Sequence, residues 1–287
     1  MRKLRVRRLL VIAATVVSVC YAASGCFAHD NNEEIPESHF TLVDIEKTTL
    51  FDQGGITIAA TKLNPQTENG PSLRLHVENS AVKDYVVTPQ FIAINGYMTY
   101  SEVEISVAQG GEANKTITFD SSPLIAAGIK TIVEVRMSFK LADLNGSTYD
   151  TAEAVLHTSA YNVYTQTDNF KGELVVDEEG LIIKLGLLSD ESALGKNVYL
   201  YAENNTDEAI VLETKDVKAN GAELTHYFVR TIKPGMKLCE LVTFRDADMV
   251  ANGIVAIEEL SMGFVATSPY GVVLDTEPTR VIFTEAN

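Results

Sequence analysis

Val133-Glu134-Val135-Arg136-Met137-Ser138-Phe139 is answered, 125 residues later, by Glu258-Glu259-Leu260-Ser261-Met262-Gly263-Phe264. In the first stretch Val133, Val135, Met137 and Phe139 alternate with Glu134, Arg136 and Ser138. That period of two marks a strand with one buried face. In the second, Glu259, Met262 and Phe264 fall on Glu134, Met137 and Phe139.

The same shift holds outward in both directions, without gaps, from Asp52 to Thr158. Asp52 and Gly55 meet Asp177 and Gly180, Glu78-Asn79 meets Glu203-Asn204, and Asn95-Gly96 meets Asn220-Gly221. Thr118-Phe119 meets Thr243-Phe244, Ala126 and Gly128 meet Ala251 and Gly253, and Asp150-Thr151 meets Asp275-Thr276. Self-similarity at one fixed offset is the signature of a repeated structural unit.

Both copies must satisfy one fold, so each strand can be read twice. Leu73, Leu75 and Val77 alternate with polar residues, as Val198, Leu200 and Ala202 alternate with Tyr199, Tyr201 and Glu203. Ile56-x-Ile58, Ile117-x-Phe119, Leu181-x-Ile183 and Val242-x-Phe244 repeat the pattern. Asn-Gly between two such runs is a hairpin signal, because both residues accept positive φ. Ser121 to Gly128 reads as a short helix opened by a cap residue and closed by glycine; Asp246 to Gly253 is its counterpart.

Each copy therefore reads as seven or eight strands with one short helix, an all-β antiparallel sandwich. The layout resembles the immunoglobulin-like modules of bacterial surface proteins. The resemblance implies two tandem immunoglobulin-like β-sandwiches with separate cores, over residues 43–160 and 171–287. Residues 161–170 form a short linker with a tyrosine at each of 161 and 164.

The N-terminus supplies an address. MRKLRVRR carries five cations, and Leu9–Ser24 is apolar. Basic, apolar, then small residues is the layout of an export signal, expected over residues 1–25. The run falls short of the about 20 apolar residues that span a membrane. Ser24-Gly25-Cys26 resembles the lipobox of bacterial lipoproteins, with Ala23 where leucine is usual; the resemblance implies lipid on Cys26. Cleavage after Ala28 is the alternative. Residues 26–42 are acidic and amide-rich and read as a flexible tether.

The net charge is −16, and loss of the five signal cations takes it to −21. Such acidity argues against nucleic acid and against anionic lipid as partners. Once Cys20 leaves with the signal and Cys26 carries lipid, Cys239 is a lone thiol, so no disulfide framework is expected.

No HExxH, CxxC pair, GxSxG or phosphate loop occurs, and neither metal nor cofactor is expected. His76, His157 and His226 have no counterparts at the repeat offset. Asp246 and Asp248 are close enough to suggest calcium, yet helix capping accounts for Asp246 as well. The chain lacks tryptophan, so an aromatic contact surface would have to use tyrosine: Tyr97 and Tyr100 after a hairpin, or Tyr199 and Tyr201 on one strand face.

These features point to a non-catalytic protein held outside the cytoplasm, anchored to the bacterial cell membrane, that meets a protein or a cell-wall component. The alternative is an extracytoplasmic hydrolase, such as a glycosidase, with scattered carboxylates.

Overall fold

The computed structural model describes residues 39–67, 69–189, 195–225 and 228–283. The segment expected to be an export signal, Cys26, the expected tether up to residue 38 and His226 lie outside the described residues. The tether expectation ends too late: Phe40 is buried in a core, and the Thr41 N–H donates to the Lys130 carbonyl at 2.7 Å.

The first half contains β1 (Thr48–Gln53), β2 (Ile56–Asn64), β3 (Ser72–Asn79), β4 (Tyr85–Ile94) and β5 (Tyr97–Thr99). β6 (Ile105–Val107), β7 (Glu112–Thr118), α1 (Ser121–Ala126), β8 (Glu134–Asp143), β9 (Thr148–Asp150) and β10 (Ala154–His157) complete it. The second half begins with β11 (Glu173–Glu178), β12 (Leu181–Ser189), β13 (Gly195–Asn204), β14 (Ile210–Ala219) and β15 (Ala222–Glu223). It ends with β16 (Val229–Ile232), β17 (Lys237–Arg245), α2 (Asp246–Ala251), β18 (Glu259–Ser268), β19 (Gly271–Asp275) and β20 (Thr279–Ile282). Among the described residues each half thus has ten strands instead of seven or eight, because short pieces such as β5, β6 and β9 flank the long ones.

Every pairing in the first half recurs in the second: β1-β2-β3-β7 matches β11-β12-β13-β17, and β4 and β8 pair as β14 and β18 do. Even irregularities recur. The bulge at Thr49/Phe51 in β1 has its counterpart at Leu174/Val176 in β11. The Asn-Gly turns carry φ of 50° and 82° at Asn95-Gly96, and 49° and 81° at Asn220-Gly221. Both residues take positive φ in each turn, the conformation of a tight hairpin that matches the strand twist.

Both helices end alike. Gly128 N–H donates to the Ile125 carbonyl and Ile129 N–H to that of Leu124; Gly253 and Ile254 repeat this on Val250 and Met249. Paired bonds around a left-handed residue satisfy carbonyls that the helix end would orphan. The starts differ. Asp120, not Ser121, caps α1 by accepting from the Ser122 N–H at 3.0 Å. In α2 the cap position is Arg245 with no side-chain cap bond, and Asp246 is the first helical residue, so the capping role expected for Asp246 falls away.

Alternate residues of facing sheets fill two cores. Val77, Phe119 and Phe139 are buried in one; Ala202, Phe244 and Phe264 are their counterparts in the other. The cores are not separate in the way the repeat implied. β5 pairs in parallel with β17, joining six strands of the first copy and four of the second into one ten-stranded sheet. Tyr199, Tyr201 and Cys239 of the second half belong to the first core, while Phe91, Ala93 and Met98 of the first belong to the second. By contacts, Ser38–Asn287 is a single compact unit.

Candidate functional site: the seam between the halves

The seam starts from two residue pairs, Tyr97 with Lys237 and Met98 with Leu238, and the Lys237 N–H donates to the Gly96 carbonyl at 2.9 Å. Around this short ladder the connecting segment closes in. Tyr97 donates its hydroxyl to Asp168 Oδ1 at 2.7 Å, and Asp168 also ion-pairs with Lys237. Phe170 stacks on Tyr201 with ring centroids 5.4 Å apart, and Tyr97 lies against Tyr201 at 6.2 Å. On the other sheet face, Lys233 sits 3.6 Å over the Phe91 ring centroid and 3.7 Å from Glu153.

These contacts correct the aromatic-surface expectation. Tyr97, Tyr199 and Tyr201 are 1%, 8% and 2% exposed, so they are packing residues of the joint. An outward-facing strand position is exposed only when nothing covers that face, and here Phe170 and the neighbouring half do. Burial raises the Tyr97 and Tyr201 hydroxyls above their ordinary range, with Asp168 and Glu203 adding to the shift. Burial works to raise the Asp168 carboxyl too, but Lys237 and Tyr97 outweigh it and hold the group below its ordinary value. Burial also pushes the Cys239 thiol up to about 12, which leaves it a poor nucleophile.

Tyr100 alone of the four is open to solvent, at 48%. It stands between two cavities that both use Met98, Tyr100 and Arg230. The first, about 300 Å³, is bounded by the end of β5, by Asp120 and Leu124 at α1, and by Cys239, Glu240 and Leu241 of β17. The second, about 680 Å³, runs past Gln90, Ser101, Glu102 and Lys233. The Arg230 guanidinium lies 5.4 Å from the Tyr100 ring centroid and donates through Nε to Glu240 Oε2 at 2.5 Å. Burial raises the Glu240 carboxyl, and the Arg230 charge and hydrogen bond oppose the rise.

Other candidates are spread apart. His76 contacts Glu78 at 3.0 Å and Asn114 at 3.3 Å; His157 stacks on Tyr161 at 3.5 Å. Asp248 pairs with Arg245, and Asp52 accepts from the Thr57 hydroxyl at 2.9 Å. Among the described residues no three His, Cys, Asp or Glu side chains converge as a metal site.

Sequence reading missed Asp168, Phe170 and the Arg230–Glu240 pair. A signal for the joint was present in the differences between copies: at the repeat offset Tyr199 and Tyr201 meet Arg74 and His76, and Lys237 meets Glu112. Aromatic in one copy and charged in the other marks a face covered once.

No protein-family model and no curated protein matches the chain. Solved structures resemble it only distantly. The YadV chaperone is 10% identical, with 80% of this chain and 100% of that one covered, at a TM-score of 0.25. A red sea bream transglutaminase is 9% identical over 86% of this chain and 32% of its own, at 0.22. A Porphyromonas gingivalis W83 protein of unknown function is 14% identical over 80% and 98%, at 0.21. Likenesses so distant carry no argument about fold or activity.

Proposed function

We propose that the chain is a non-catalytic binding or scaffolding protein of the cell envelope, held outside the cytoplasm by lipid on Cys26. In this reading it consists of two tandem immunoglobulin-like β-sandwiches, residues 43–160 and 171–287, joined through 161–170. The recurrence of every strand pairing at one offset supports the tandem arrangement. The partner is a protein or a cell-wall component that meets the grooves beside Tyr100.

One observation favours binding over catalysis: the carboxylates at the first groove are committed to structure. Asp120 caps α1, and Glu240 is locked to Arg230. Chemical cross-linking in envelope extract tests the reading. Wild-type protein should capture a partner that a Tyr100→Ala, Arg230→Ala double variant loses. Absence of any specific capture by the wild type counts against it.

A hydrolase reading has one observation in its favour. Asp120 and Glu240 border the same groove, and burial raises the Glu240 carboxyl, the condition a general acid needs. Turnover on a panel of aryl glycosides, abolished by Glu240→Gln, would establish it.

A further inference from the structure

The parallel ladder at the seam stops early. β5 meets β17 only at Lys237 and Leu238, yet β17 continues to Arg245. Beyond Leu238, β17 has β13 on one side and, among the described residues, no strand pairing on the other. β5 ends at Thr99, and α1, which packs against β17, lines the space beyond through Pro123 and Leu124. The cavity of about 300 Å³ lies along this lane on the unpaired side of β17.

Main-chain direction can be followed from the last paired residue. The Lys237 N–H points toward β5, because it donates to the Gly96 carbonyl. Successive strand residues alternate sides, so the main-chain groups of Cys239, Leu241 and Thr243 point into the lane, and those of Val242 and Phe244 point to β13. An edge of unpaired N–H and C=O groups is a template for another strand.

We propose that this lane binds a short extended peptide from a partner protein, which continues the line of β5 and pairs with β17. The proposal deepens the binding-protein reading and rests on it, by naming the partner's chemistry. What favours a strand as occupant is continuity: the lane prolongs a ladder that already exists within the chain, by the mode of strand addition. The walls set the side chains. Leu124, Cys239 and Leu241 face the lane from the first core, an apolar wall. Tyr100 and the mutually neutralised Arg230–Glu240 pair border it too, and the Asp120 carboxylate that caps α1 stands at its rim. The fitting peptide alternates apolar residues with neutral, hydrogen-bonding ones. A second copy of this chain is a poorer occupant, since the counterpart of β5 is the two-residue β15, Ala222–Glu223.

Amide exchange read by NMR tests the lane directly. The probe is acetyl-Leu-Gln-Leu-Thr-Leu-Gln-amide, with acetyl-Leu-Leu-Leu-Gln-Thr-Gln-amide as a control of equal composition. In free protein the Leu241 and Thr243 amides should exchange faster than those of Val242 and Phe244. The alternating peptide, at about nine times its dissociation constant, should slow the two lane amides roughly tenfold. The control should not, and Pro123→Trp, which fills the lane, should abolish the effect. Lane amides already as slow as Val242, or equal protection by both peptides, or none by either, overturns the proposal. If a partner is captured through Tyr100 while the lane amides stay unchanged, the lane proposal fails and the binding reading survives.

Discussion

Asn79 and Asn204, 125 residues apart, make the same three hydrogen bonds inside the protein. Asn79 Nδ2 donates to the Lys83 carbonyl at 2.7 Å and the Val107 carbonyl at 3.1 Å, and its Oδ1 accepts from the Ala81 N–H at 3.0 Å. Asn204 does so with Glu208 at 2.8 Å, Ile232 at 2.9 Å and Thr206 at 3.0 Å, each partner also displaced by 125. A buried amide that ties a turn to a distant strand leaves several groups unpaired when removed. Asn79→Ala and Asn204→Ala should each destabilise by about 1–3 kcal/mol. Urea unfolding measures both, and a neutral result at either site would deny the equivalence.

The fused sheet bears on cooperativity. Phe139→Ala and Phe264→Ala should each cost about 3–5 kcal/mol, the usual range for a fully buried phenylalanine. Because residues of each half sit in the other's core, calorimetry on the wild type should show one transition. Tyr97→Ala, which empties the joint, should split it into two. Two transitions in the wild type would show that the seam couples the halves weakly.

The Asp168 latch gives stability a defined pH dependence. Its carboxyl is held below its unfolded value of about 3.9, so the gain is full above that pH and is lost as pH falls through the lowered folded value. Glu240 has the opposite sign. Its folded value is raised, so protonation on acidification favours the folded state. Asp168→Asn should flatten the acid limb of a stability–pH curve, and Glu240→Gln should steepen it. Matching curves for the two variants would remove this assignment.

Cys239 is 3% exposed and its thiol is pushed up to about 12. Native protein at pH 8 should therefore react with a maleimide far more slowly than denatured protein. Tyr97→Ala should raise the native rate, since Tyr97 lines the same cavity. Fast labelling of the intact wild type would contradict the packed joint.

The proposed membrane address is tested by metabolic labelling with a palmitate analogue. Wild-type protein should incorporate label and sediment with membranes, and Cys26→Ala should do neither. A wild type that takes up no label removes the anchor.

Much of the fold was legible because alternation and turn chemistry are local. Val77, Phe119 and Phe139 point inward as their spacing implies, and the Asn95-Gly96 turn has the positive φ values that its residues invite. The joint was not legible in either copy alone. Tyr201 looks like an outer-face tyrosine until Phe170, 31 positions earlier, is placed over it, and no period in the sequence carries that contact. Arg230 and Glu240 likewise meet only because β16 and β17 approach from different sheets. The helix start was misread for a simpler reason: Asp120 and Ser121 are both good caps, and only the bond to Ser122 separates them.

The seam joins unlike edges, β5 of one copy to β17 of the next, and such a contact has no built-in stop. Its unused counterparts remain on this chain: β15 at one end and β7 at the other. Polymerisation into fibres would follow if those edges kept the chemistry of the seam. They do not. Ala222 and Glu223 stand where Tyr97 and Met98 make the joint, and Glu112, Arg74 and His76 stand where Lys237, Tyr199 and Tyr201 receive it. Glu112, Arg74 and Glu223 are exposed charges, the means by which sheet edges escape unwanted growth. Side-chain charge alone thus sets β15 and β7 apart from the seam, and either edge could take over its pairing only after those charges were exchanged for aromatic residues.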